Sequence, residues 1–383
     1  MRRLLFLQAT RAVAASIVVI DHSIGICVAS HVLSPSYLSL AWAMGHLGVD
    51  VFFVISGFIM VRTAQGKYGS LGGASVFAWD RITRIVPVYW IALLIAAFLA
   101  ARHTDVPAEQ IVKSLLFIPY WNHAVNLMRP VLQLGWTLNY EMFFYLLFTG
   151  AVLFQRSLAI SVLTICLVAL VAIGMTFHTL VPYMEPATVV QFWTDPIILF
   201  FSLGAVMGYF EDRLTSLISL PPHPLFAIEV LMALTLAASV MLKLTFPMPL
   251  IWQAFYAVIA AICVLLCIGQ HDLQPSRLMR FLVARGDDSY CTYLFQFLIV
   301  AADGVLILRL GNRVWVPPFV ITASVLGANL LGWAANIYLV RPMTKALRRR
   351  RAPGAELDRQ RDRATYSQTD NTEAVLDQQK CVN

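Results

Sequence analysis

FLQATRAVAASIVVIDHSIGICVAS, residues 6–30, is an apolar run long enough to cross a membrane, yet it carries Arg11, Asp21 and His22. An ionisable side chain costs about 3 kcal/mol at the centre of a spanning helix, so such groups face a protein interior or a water-filled cavity. Arg11 and His22 are eleven residues apart. At about 100° and 1.5 Å per residue, that spacing puts both on nearly the same face, about 16 Å apart along the axis. One helix then offers a cation and a titratable imidazole to one pocket. The alternative is that Arg11 snorkels to the membrane surface and His22 is a hydrogen-bonded core residue.

The rest of the chain has the same character. Of its 383 residues 59% are hydrophobic and 13% charged, with a mean hydropathy of +0.72. A soluble domain carries about a quarter charged residues, so this composition excludes one and reads as a polytopic membrane protein. Arg2 and Arg3 before an apolar run resemble a signal peptide, but the run is too long and is interrupted by Arg11, so it reads as a retained helix. The six cysteines form no C-x-x-C pair and read as small core residues, and no metal site is implied.

Taking about 20 apolar residues per span, the chain is expected to be all-α, with about ten transmembrane helices in one bundle. They run near 6–29, 45–64, 84–101, 136–154, 158–177, 192–210, 225–245, 249–269, 289–308 and 316–340. An even count puts both termini on one side. Lys and Arg crowd the loops on that side, among them Arg62, Lys67, Arg81, Arg84, Arg156 and Arg213, so both termini are expected in the cytoplasm. Residues 1–342 form the expected membrane domain. Residues 343–383 form a basic cytoplasmic tail, expected to be disordered. Its run Arg348–Arg351 reads as a topology determinant and an anchor to membrane lipids rather than a nucleic-acid site. The longest outer loop, 102–135, contains an apolar patch, 111–121, too short to span and read as re-entrant or interfacial.

With this topology the membrane-embedded ionisable groups sort by depth. His22, Asp50, Glu141 and Asp195 fall in the outer half. Arg11 falls in the inner half, and Arg81 and Arg84 at the inner start of the third helix. The pattern describes an acidic, imidazole-bearing outer chamber above a cationic inner mouth. Asp50 and Asp195 also fit helix N-caps, Glu141 a structural carboxylate, and Arg81 and Arg84 simple flanking charges.

These residues resemble acyltransferase family 3, membrane proteins that acylate sugars on bacterial surface glycans. Arg11 and His22 match its Arg-x10-His pattern, and Gly48-Val-Asp-Val-Phe-Phe-Val-Ile-Ser-Gly-Phe-Ile-Met60 its second-helix signature. Arg81-Ile-Thr-Arg84 resembles its R-x-x-R element, and Trp136-Thr-Leu-Asn-Tyr-Glu-Met-Phe-Phe-Tyr145 its W-S-L-x-x-E block. Phe201 to Gly208 and Ser289 to Phe295 fit later helices. The wording of the second and fourth helices is most similar to the exopolysaccharide O-acetyltransferase branch. Two positions depart from the pattern: Gln296 stands where relatives often have His, and Val340-Arg341-Pro342 where they often have Glu before a basic residue and Pro.

The resemblance implies an integral O-acyltransferase of the bacterial inner membrane. Its donor would be acetyl-CoA, and its acceptor a lipid-linked or nascent polysaccharide, with polysaccharide assembly machinery as a partner. Transfer to a sugar hydroxyl needs a base and a stabilised oxyanion. His22 would be the base or carry the acyl group as an acyl-imidazole, Asp50 and Glu141 would orient it or bind sugar hydroxyls, and Arg11, Arg81 and Arg84 would hold the donor phosphates. The rival reading is a proton-coupled transporter, weakened by the lack of an internal repeat.

Reporter fusions at Lys113 and after Arg351 are expected to report opposite compartments, the second of them cytoplasmic. A chain ending at Arg351 is expected to insert and to acetylate as the full chain does, measured as acetyl transfer per unit of protein in membranes.

Overall fold

The computed structural model describes residues 5–177, 186–217, 224–241, 250–268 and 277–347. They form helices α1 (Leu5–Ala29), α2 (Leu38–Thr63), α3 (Leu71–Ala100), α4 (Ala108–Leu115), α5 (Trp136–Ala151), α6 (Arg156–Phe177) and α7 (Val189–Trp193). There follow α8 (Ile198–Tyr209), α9 (Glu211–Leu217), α10 (Pro224–Met241), α11 (Leu250–Ile268), α12 (Arg277–Leu310) and α13 (Val316–Ala335). Seven helical stretches among the described residues are long and apolar enough to cross a membrane, and Trp252–Ile268 is a shorter apolar helix. The protein is therefore an all-helical, multi-pass membrane protein. It divides into two compact units, Met1–Asn336 and Ile337–Asn383. In the second, residues 337–347 are helical, and most of the expected tail, 348–383, lies outside the described residues.

Three helices begin earlier than the hydropathy pattern indicated, because polar residues there serve as caps or face other helices. The Ser34 side chain caps a 3-10 turn, Pro35–Tyr37, that runs straight into α2, so Asp50 lies inside this helix and is no N-cap. Ser70 accepts a hydrogen bond from the Gly73 N–H (3.0 Å) and starts α3 at Leu71. Arg81 and Arg84 are thus well inside α3, a correction to their expected place at its start. Helix α12 begins at Arg277. Asp195 is not the N-cap of α8 either, a place taken by Ile197; its Oδ1 accepts from the Ile197 N–H (2.9 Å) in the turn that leads into the helix.

Helix α1 is the hub of the first unit, packed against α2, α10, α11, α12 and α13. That surround answers the charge problem of its sequence, because a helix covered on most sides need not show Arg11 or Asp21 to lipid. Lipid supplies no hydrophobic drive between helices, so close approach over small residues supplies it instead. A Cβ on Gly48 would stand 2.9 Å from the Ala14 carbonyl oxygen, and one on Gly286 would run into the Gln8 carbonyl. Helices α2 and α8 also meet closely. A Cβ on Gly57 would collide with the Phe201 carbonyl, and one on Gly204 with the Val54 carbonyl. Phe53 stacks on Phe201 (4.4 Å between ring centroids), and Phe201 on Phe144 (4.6 Å), which ties α5 to the same seam.

The connection between α3 and α5, expected on the outer side, is built by side chains rather than left open. Tyr89 and Trp90 of α3 donate to the Ser114 and Leu115 carbonyls (3.1 and 2.9 Å) and clamp α4 to α3. The buried Ser114 hydroxyl accepts from the Val131 N–H (3.1 Å) and meets the Tyr120 hydroxyl (3.1 Å). Burial pushes the Tyr120 phenol above its ordinary value.

Gly204→Val is expected to cost about 1–3 kcal/mol, because the obstacle is backbone that cannot rotate away. Gly150 has open space where a Cβ would stand and is expected to accept Ala without loss. Thermal unfolding of the two variants in detergent checks this difference.

Candidate functional site

A cleft of about 760 Å³, mouth included, opens in the first unit between α1, α2, α3, α5 and α12. It gathers Arg11, Arg81, Arg84 and Glu141, four of the six residues singled out from sequence, together with Ser56, Tyr145, Tyr290 and Tyr293. Arg11 and Arg81 are 8% and 7% exposed, whereas Arg84 is exposed. Arg11 is oriented by Gln8, whose Oε1 accepts from Nη1 at 3.1 Å. Arg81 lies 5.7 Å from the Phe77 ring centroid, and its Nε and Nη1 are buried without a hydrogen-bond partner.

Glu141 does not neutralise these cations by direct pairing. Its carboxylate accepts from the Ser56 hydroxyl (3.1 Å) and from the Tyr145 hydroxyl in a short hydrogen bond. Three guanidinium groups against one carboxylate leave the cleft lining with a formal excess of two positive charges. Buried donors without acceptors are costly, and guanidinium forks match phosphate oxygens. Such a lining suits an anion electrostatically.

His22 and Asp50 do not line this cleft. His22 lies further along α1, its side chain 36% exposed and its Nδ1 2.7 Å from the Val18 carbonyl oxygen. A carbonyl can only accept, so Nδ1 carries the proton and Nε2 is left with the lone pair a base requires. Asp50 is 1% exposed inside α2, one turn from the buried His46. The two expected compartments are thus distinct in space, with Glu141 belonging to the arginine cleft and not to the surroundings of His22.

Around His22 stand groups that the sequence reading did not assign to a site. The Asp21 Oδ2 is 3.9 Å from His22 Nδ1. Arg129, from the outer loop, acts electrostatically on Asp21 and His46 while its guanidinium stacks 4.4 Å over Trp136. The i, i+4 spacing of His46 and Asp50 is a signal readable from sequence. The same spacing joins Glu141 to Tyr145 on α5. Nothing local marks Ser56 or Arg129, whose roles depend on segments brought together from distant parts of the chain. Gln296 is fully buried and donates to the Tyr293 carbonyl (3.0 Å). Among the described residues no group of three or more His, Cys, Asp or Glu is placed to hold a metal ion. Cys267 meets Thr10 Oγ1 at 3.2 Å in the core.

Comparison with known proteins adds the chemistry. Residues 4–336 match the acyltransferase domain. The chain is 34% identical over 323 residues to the exopolysaccharide production protein ExoZ of Rhizobium meliloti (strain 1021), an alignment covering 81% of this chain and 93% of that protein. No solved structure matches. A match running from the first helix to the end of α13, on a bundle whose cleft is lined by the arginines and glutamate of the sequence motifs, leaves one conclusion: this chain belongs to the acyltransferase domain family of membrane enzymes.

Proposed function

We propose that this enzyme transfers an acetyl group from acetyl-CoA to a sugar hydroxyl of an exopolysaccharide or its lipid-linked precursor, in the bacterial cytoplasmic membrane. The observation that carries the reading is the cleft with its unpaired buried Arg81 donors, set along α1 from an imidazole with a free Nε2. Acetyl-CoA has phosphates at one end and its reacting thioester at the other end of a long flexible arm. A cationic cleft at Arg11 and a base about 16 Å further along the same helix suit the two ends of that molecule.

In this scheme Arg11, Arg81 and Arg84 hold the phosphates. Glu141, fixed by Ser56 and Tyr145, offsets part of the repulsion among these cations. His22 Nε2 takes the proton of the acceptor hydroxyl as its oxygen attacks the thioester carbon. Asp50, buried on α2 one turn from His46, orients the imidazole or binds sugar hydroxyls. The glycan class is suggested by the relative's name, exopolysaccharide production protein. A proton-coupled transporter, the other reading open to the sequence, has no comparable observation behind it.

His22→Ala is expected to abolish acetyl transfer in membranes while the purified protein still binds CoA. Arg11→Ala is expected to weaken donor use instead, raising the KM for acetyl-CoA by about tenfold, the loss of one charge-assisted phosphate contact. Arg11→Lys restores only part of this if the guanidinium makes paired hydrogen bonds. Full activity in His22→Ala overturns the assignment of the base.

A further inference from the structure

Asp21 precedes His22 in the chain and sits in a place made for it. Its Oδ2 lies 3.9 Å from the imidazole Nδ1, and its side chain is only 20% exposed. Across the helix seam it lies against α2 at Gly45, where a Cβ of any other residue would run into the carboxylate. Arg129 lies within electrostatic range of Asp21. Arg129 is fixed in turn by its stack on Trp136 (4.4 Å), by its own N–H donating to the Leu127 carbonyl (2.9 Å), and by the Val131 N–H on Ser114 Oγ (3.1 Å) just after it. The charged or titratable groups around this carboxylate are therefore His22 on α1, Arg129 on the loop, His46 on α2, itself near Arg129, and Tyr293 on α12.

We propose that Asp21 is a positioning residue for His22, with Arg129 as its counter-charge, so that three separate elements support one imidazole. The inference rests on the reading of His22 as the base. During transfer the acceptor O–H bond breaks and its proton goes to Nε2, while the oxygen bonds to the acyl carbon. The C–S bond then breaks, its electron pair leaves with the sulfur, and the thiolate takes the proton back from the imidazolium. Between those two proton transfers the ring carries a positive charge. A carboxylate 3.9 Å away stabilises that charge. Asp21 does not receive the proton, because Nδ1–H is committed to the Val18 carbonyl. Arg129 keeps the carboxylate from standing in the bundle as an uncompensated charge when the ring is neutral.

The test uses membranes containing the full chain, with initial rates of labelled acetyl transfer from acetyl-CoA to the endogenous glycan, normalised to protein amount. Asp21→Asn, nearly isosteric, is expected to lower the maximal rate about tenfold or more with the KM for acetyl-CoA unchanged. Gly45→Ala, which displaces the carboxylate without removing it, is expected to give a comparable loss and to add little to Asp21→Ala, as coupled neighbours do. Arg129→Ala should lose rate and Arg129→Lys recover it. A purely structural role would instead reduce protein amount and leave the rate per molecule intact. Where Asp21→Asn does not accumulate, Gly45→Ala carries the same measurement. Wild-type rates in Asp21→Asn beside an inactive His22→Ala overturn this inference alone, whereas a fully active His22→Ala overturns it together with the functional reading.

Discussion

The energy of a charge in hydrocarbon governs this molecule. Arg11 and Asp21 on α1 are tolerated only if other protein covers them, and the bundle is arranged accordingly, with α1 packed against five helices. The arginines of α3 follow the same rule. Arg81 is buried within the helix rather than left at its end, and faces the cleft it shares with Arg11. Burying like charges together raises the free energy of the empty protein, and an anionic ligand lowers it again. Part of the binding energy of the site is in this sense stored in the fold.

Close backbone contact is the second requirement. Glycines on α2 and α8 bring those helices near enough for carbonyls of one to touch the other, and stacked Phe53, Phe201 and Phe144 carry the contact on to α5. That seam sets the distance between Ser56 on α2 and Glu141 on α5, residues 85 positions apart joined by one hydrogen bond. A small error in helix separation would break it. Stability of the bundle and geometry of the cleft therefore rest on the same glycines.

Arg11 and His22 share α1, but His22 does not line the cleft that Arg11 helps to form. His22 has a charged neighbour in Asp21, which Arg129 of the α3–α5 connection acts on electrostatically. The hydrogen bonds around Ser114 hold that loop to α3, and through it the outer wall of the chamber acquires a defined position.

The sequence by itself determined the class of the protein, because length and hydropathy suffice to identify membrane-spanning helices and ionisable residues within them stand out. It also picked Arg11, Arg81, Arg84 and Glu141, which the fold does gather into one cleft. Helix starts were misjudged at α2, α3 and α12, since apolar content marks where hydrocarbon lies and not where the hydrogen-bonded helix begins at Ser34 or Ser70. Only the tertiary structure separated Glu141 from His22, joined it to Ser56, set Gly45 against Asp21 and brought Arg129 within electrostatic range of that carboxylate. The reason is physical: one-dimensional spacing fixes which residues share a helix face, whereas which faces meet depends on small residues and loop clamps drawn from segments far apart in the chain.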